Sequence, residues 1–293
     1  MVVMDLPLVV GVDGSDPSLA ALDWAVDEAA RHGLPLRLVH SSLWERYEGR
    51  APSFARERPA GTVLAQHIVA SAAERARLRR PEVKATGDLI PEDPVSALLS
   101  AGQEARLLVV GSRGRGELAA LTLGSVGLAV AARAVCPVVV VRGGERNREG
   151  AYGRVVVGVG NLPHCLGAVR FAFHEARVRG AALHAVRAWR RPASEDVAPR
   201  TADDGMSAHQ ERASANLDEA LLQAVRERPD VDVIRAPVEG PPHQVLLEAS
   251  ADADLIVVGA LRRHGHPGLQ LGRVAHTLLH HAPCPVAVVP QRV

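Results

Sequence analysis

The sequence predicts two α/β domains in tandem, each a doubly wound parallel sheet with helices on both faces. Three observations predict it. The chain has 293 residues, enough for two domains of ordinary size. One strand-and-helix pattern occurs twice. Its strands are continuous Val/Leu runs rather than alternating ones, as expected where helices cover both faces of a parallel sheet.

The repeat is visible residue by residue. The stretch from Leu8 to Ser41 matches that from Val155 to Ala188, with Gly11 opposite Gly158 and Glu28 opposite Glu175. Later, Gly111 matches Gly259, Gly124 matches Gly272, and Cys136-Pro137 matches Cys284-Pro285. The offset is 147 positions early and 148 late, so two whole domains are repeated rather than a solenoid unit. We expect domains at 1–142 and 154–293, joined by a charged, glycine-rich linker at 143–153.

Within the first half, LVVGV (Leu8 to Val12) is the first strand. Asp16 is placed to cap a helix that starts at Pro17, the favoured place for proline. Leu19, Leu22, Val26 and Ala29 recur at helical spacing, and Gly33 with Pro35 ends the run. LRLVH is the second strand. A helix follows from Thr62 to Arg80, then a short strand near Val83, a helix from Val95 to Gln103 and the strand LLVVG. A last helix from Ser125 leads to the strand PVVVVR. Two polar excursions, Glu45 to Gly61 and Arg191 to Ser207, each follow the second strand of their half.

Composition excludes several function classes. Hydrophobic residues make up 47% and charged residues 23%, as in ordinary globular proteins. The net charge of +1 gives no electrostatic case for nucleic acid or membrane binding. No run of apolar residues is long enough to span a bilayer, and the N-terminal stretch lacks the basic start of a signal peptide. We expect a cytoplasmic protein. Three scattered cysteines, Cys136, Cys165 and Cys284, argue against a disulfide framework or a structural zinc site, and read as buried thiols. His276 and His280 lie four apart on a helix, but no acidic or cysteine partner stands at ligand spacing, so they read as a polar helix face. No GxSxG elbow is present, so no hydrolase triad is supported and no catalytic residue or metal ligand is assigned. Trp24 and Phe171 fall on apolar helix positions and read as core.

The chemistry concentrates where strands end. Ligands of open α/β sheets sit beyond the carboxyl ends of the strands. Gly111 stands at such an end, and glycine lets backbone N–H groups approach an anion. Gly124 and Ser125 open the last helix, whose N-terminal N–H groups and dipole favour phosphate. Read on their own, these glycines could equally be turns. Neither a Walker motif nor GxGxxG after the first strand is present.

Gly111, two residues, Gly114, nine residues, Gly124-Ser125 matches the ATP-binding pattern of the universal stress protein family. Asp13-Gly14-Ser15 after the first strand, Val39-His40 at the end of the second and the CPVVVV ending are similar to that family as well. The chain is identified as a tandem member. The resemblance implies a strand order of 3-2-1-4-5 in each domain and ATP, with Mg²⁺, as ligand of the first. By resemblance, Asp13 would meet the nucleoside and Ser41 would line the adenine pocket. Gly111, Gly114, Gly124 and Ser125 would hold the phosphates, and Gly11, Val12, Arg113 and Val126 complete the expected nucleotide-binding set. The family also implies that the last strands pair, within the chain or in a homodimer, and that an unidentified protein partner reads the nucleotide state in a stress response.

The second half departs at three contact points: Gly160 stands for Asp13, Arg262 for Gly114 and Arg273 for Ser125. If Gly114 needs a left-handed backbone, arginine there is costly. The second site is then empty and structural, or Arg262, Arg263 and Arg273 hold some other anion. Gly116 lies off the glycine pattern. Three functions remain open: an ATP-dependent sensor, a slow ATPase, or a ligand-free interaction scaffold. No general base or nucleophile can be named near the glycines, which favours the first.

Overall fold

The computed structural model describes residues 6–42, 60–114, 123–190, 202–262 and 269–291, without the side chains of 60, 202–207, 262 and 269–270. The chain divides into two compact units, Met1–Arg142 and Gly143–Val293. The excursions at 45–61 and 191–207 fall largely, and Gly116 and Arg263 wholly, outside the described residues.

In the first unit, β1 (Leu8–Gly11), β2 (Leu36–Ser41), β3 (Ala85–Ile90), β4 (Leu107–Gly111) and β5 (Val138–Val141) alternate with four helices. These are α1 (Asp16–His32), α2 (Ala60–Arg79), α3 (Pro94–Ala101) and α4 (Ser125–Arg133). The sheet order is β3-β2-β1-β4-β5, parallel throughout. Valines and leucines of the central strands, such as Val9, Val10, Leu108 and Val109, are fully buried. Each such side chain contributes roughly 1.5–3 kcal/mol by leaving water.

Local chemistry sets the helix ends. Ser15, not Asp16, caps α1: its hydroxyl accepts from the Ser18 N–H, so the helix begins one residue earlier than the proline suggested. Gly33 closes α1 in the left-handed conformation, with φ of 64°. Asp93 caps α3, accepting from the N–H groups of Val95 and Ser96. α3 ends at Ala101 and tightens into a 3₁₀ turn, Gly102–Glu104. β3 lies after Val83 rather than at it, because the Val83 N–H is spent on a turn to the Arg80 carbonyl. Arg75 and Arg79 on α2, with Arg80 just after it, pair with Asp23 and Asp27 on α1, fastening the two helices of one face.

The second unit repeats the plan with β6 (Arg154–Gly158), β7 (Ala182–Trp189), β8 (Val233–Glu239), β9 (Leu255–Arg262) and β11 (Val286–Gln291). Its helices are α5 (Glu145–Arg148), α6 (Leu166–Arg179), α7 (Ala202–Glu227), α8 (Pro242–Ala249) and α9 (Arg273–His281). The order β11-β9-β6-β7-β8 is parallel. It departs from the expected all-parallel sheet in one respect. β10 (Leu269–Gln270) pairs antiparallel with the end of β9, which runs past Gly259 far enough to offer Leu261 and Arg262 as partners.

The stretch 143–153 is more than a connector. It contains α5, and the buried Asn147 amide donates to the carbonyls of Ala251 and Ala253 at 3.0 and 2.8 Å. The Asp254 carboxylate accepts from the N–H groups of Tyr152 and Arg154, both at 2.9 Å. Trp24 is core, whereas the fully buried ring of α6 is Phe173 rather than the half-exposed Phe171. The cysteines are free and buried, and burial pushes the Cys136 thiol up to about 11. The His276 and His280 rings stack, 4.4 Å between centroids. Among the described residues, no helix is long and apolar enough to cross a membrane.

Candidate functional site

At the carboxyl ends of β1, β2 and β4 the first unit encloses a cavity of about 500 Å³. That is within the usual range for small-molecule sites, roughly 300–1,000 Å³. It sits where β1 and β4 lie side by side, the switch point of the 3-2-1-4-5 order. Gly11, Val12, Asp13, Ser41, Gly111, Arg113, Gly114, Gly124, Ser125 and Val126 all line it. These ten residues come from four separate parts of the chain.

Backbone pairing carries each loop to this mouth. The Val12 N–H donates to the Val39 carbonyl at 2.9 Å, and the Ser112 N–H to the Val141 carbonyl at 3.1 Å, prolonging the ladder past the strand ends. The Gly124 N–H donates to the Ser112 carbonyl at 2.8 Å, which draws the start of α4 onto the end of β4. Gly124 caps α4 without a side chain. The first N–H groups of that helix therefore have no side-chain acceptor, and Ser125, Val126 and Gly127 face the cavity.

Asp13 is held in place. Its Oδ1 accepts from the Ser15 N–H at 2.9 Å and from the Ser15 hydroxyl at 2.6 Å. The Asp13 N–H donates to Ser18 Oγ at 3.3 Å. Ser15 therefore both caps α1 and fixes the carboxylate. Gly114 is constrained by space rather than by the expected left-handed backbone. It is not among the glycines with positive φ. Instead, a Cβ there would lie 2.6 Å from Asp13 Oδ2. Gly111 is more tightly constrained, since a Cβ would lie 2.6 Å from the Pro17 carbonyl oxygen, which is backbone. Gly124 has ordinary clearance, 3.4 Å to Arg113 Cα.

Several wall residues are not assigned to the site from the sequence, although Val39-His40 reads there as family-like. Val39, Pro94, Leu98, Val110 and Leu123 form an apolar wall, and Ser18 and His40 add polar groups. His40 Nδ1 lies 2.7 Å from the Val12 carbonyl, so the ring carries its proton there and Nε2 is left as an acceptor in the neutral form. Aligning the repeat flags this position, because Arg187 stands for His40 in the second unit.

Among the described residues, the second unit lacks the counterpart of this arrangement. Gly160 offers no carboxylate, and the Arg187 guanidinium lies over that loop, donating to the Gly160 carbonyl at 2.6 Å and to Asn161 Oδ1 at 2.9 Å. Arg262 ends β9, its side chain outside the described set, and Arg273 is the exposed first residue of α9.

Chemically, the first cavity offers one carboxylate for hydroxyl groups, an apolar slot for a flat base, and a glycine loop plus helix start for an anion. Asp13 is the only acid among the described lining residues and Ser125 lies within the same mouth, so the protein itself would offer a magnesium ion few oxygen ligands.

A model of the universal stress protein family matches residues 6–142 and again 151–290. A universal stress protein of Mycobacterium tuberculosis is 34% identical, with 97% of each chain covered. One from Mycolicibacterium smegmatis is 30% identical, again with 97% of each covered. Among solved structures, a universal stress protein from Archaeoglobus fulgidus superposes with a TM-score of 0.68 at 16% identity, covering 98% of this chain and 99% of that one. That last likeness is one of fold.

Proposed function

The chain belongs to the universal stress protein family as a tandem of two such domains, and from that premise we propose that its first domain binds ATP with Mg²⁺ and serves as a nucleotide-dependent sensor. One observation carries the reading. The glycine pattern, the aspartate after β1 and the serine that ends β2 line a single cavity at the switch point. The apolar wall takes adenine, Asp13 takes the nucleoside hydroxyls, and the Gly111–Gly114 loop with the start of α4 takes the phosphates. Three buried free thiols suit a reducing, cytoplasmic setting.

Turnover is slow at most. Asp13 is engaged through Oδ1 with Ser15, and His40 is oriented through Nδ1 by Val12 while no described side chain hydrogen-bonds its Nε2. Neither is set beside a water-activating partner, and phosphoryl transfer needs a positioned nucleophile. Output then comes from occupancy, which a partner protein reads. The test is to denature the purified protein and identify what is released by mass spectrometry. An adenine nucleotide, absent from an Asp13→Ala preparation, supports the reading. Release of no nucleotide, together with no uptake of added ATP, sinks it.

A further inference from the structure

The duplication supplies an internal reference for charge. At the mouth of the second unit, acids of the first have gone and bases have appeared. Asp13 is matched by Gly160 and Asp93 by Pro241, while Val95 is matched by His243 and Ser125 by Arg273. Every one of these changes shifts the mouth in the positive direction or leaves it without an acid.

The helix starts carry the same signature. Asp93 caps α3 in the first unit, but α8 starts behind Pro241 with no side-chain cap. α9 starts behind Gly272, also without one, and neither first turn contains an acid. His243 is the second residue of α8 and Arg273 the first of α9. Cations at helix N-termini oppose the dipole, so this placement leaves positive charge without an internal counterion.

These groups converge. Arg190, His243 and Arg273 line one cavity of about 430 Å³ together with Trp189. None of the three basic side chains has a hydrogen bond or ion pair among the described residues. Trp189 supplies part of the wall, and its indole N–H is buried away from the open space. Positive charge from Arg190 just after β7, from α8 and from α9 thus meets around a space with no acid among its described lining residues.

We propose that this cavity is a second ligand site, for a small multiply charged oxyanion of the pyrophosphate or tripolyphosphate class. Guanidinium groups suit such anions, pairing two N–H donors with two oxygens. The counterpart of the nucleoside contact is absent, and Arg187 occupies that loop. The lining leaves out the ends of β6 and β9, so the ligand is compact and carries no base. The site stands independently of ATP binding by the first domain.

The test is calorimetry on the full chain at constant ionic strength, with sodium tripolyphosphate as the probe. The comparison is wild type against the double variant Arg190→Gln, Arg273→Gln. Both arginines are exposed, so the fold should survive, and circular dichroism checks this. Wild type should show saturable binding that weakens by roughly tenfold or more when two charge-assisted contacts are removed. An ATP titration of the same variant should match wild type. No saturable binding by wild type at millimolar tripolyphosphate, or an unchanged isotherm in the double variant, overturns the proposal. Loss of ATP binding in wild type with tripolyphosphate binding intact would overturn the first-domain reading alone.

Discussion

Replacing Gly114 with alanine adds one methyl group, and its consequence can be worked from geometry. The new Cβ would sit 2.6 Å from Asp13 Oδ2, closer than real Cβ contacts allow. Backbone strain is not the issue, since Gly114 is not among the positive-φ glycines. Either the loop or the carboxylate must move. Asp13 is tied to Ser15 by two hydrogen bonds, and hydrogen bonds to charged groups are worth about 1.5–3 kcal/mol each. Giving up the equivalent of one such bond weakens ATP binding by roughly tenfold to a hundredfold, at 1.4 kcal/mol per decade. Calorimetry with ATP and Mg²⁺ measures this. The informative form is a cycle with Asp13→Ala. If Gly114 is needed because Asp13 occupies that space, Gly114→Ala costs little in the Asp13→Ala background. Additive losses, or wild-type affinity in Gly114→Ala, would refute the reasoning.

Three further expectations follow from other parts of the chain. Steady-state ATP hydrolysis should stay well below about 1 per second, the low end of ordinary enzymes, and faster turnover in a phosphate-release assay would reveal a missed catalytic group. Burial pushes the Asp27 carboxyl up, but hydrogen bonds and charge from Arg79 and Arg80 overcome this and hold it below its ordinary value. The resulting stability is present above the unfolded value near 3.8 and is lost as pH falls through the lower folded value. Asp27→Asn should therefore lower stability by no more than about 1 kcal/mol at neutral pH. In denaturant melts the difference should narrow below pH 4, and a constant gap across pH would contradict the pairing. The Cys136 thiol, pushed to about 11 by burial, should resist alkylation at pH 8 in native protein and react once urea unfolds the chain, which mass spectrometry would follow.

Much of this is readable without coordinates, because the strands are uninterrupted Val/Leu runs and the two halves check each other. Glycines at Gly111, Gly114 and Gly124 mark strand and helix ends through spacing alone. The reason for Gly114 is not readable. Spacing suggests a left-handed turn, whereas in the structure a Cβ there would run into Asp13, a residue distant in sequence. Caps mislead in a similar way. Asp16 and Ser15 both suit an N-cap, and only the Ser15 bond to Ser18 decides between them. The apolar wall of Leu98 and Val110 resembles any other core run in the sequence. The His40 to Arg187 exchange, by contrast, is present in the repeat alignment, and its meaning appears only once Arg187 is seen bonded to the Gly160 loop.

The most direct measurement counts bound ATP per chain by native mass spectrometry under saturating ATP and Mg²⁺. The fold repeats but the nucleoside contact does not, with Asp13 in the first domain and Gly160 in the second. One ATP per chain is predicted, lost when Asp13→Ala and Gly114→Arg are combined. No bound ATP, two equivalent ATP molecules, or one that persists in the double variant would contradict a nucleotide site built by the first domain.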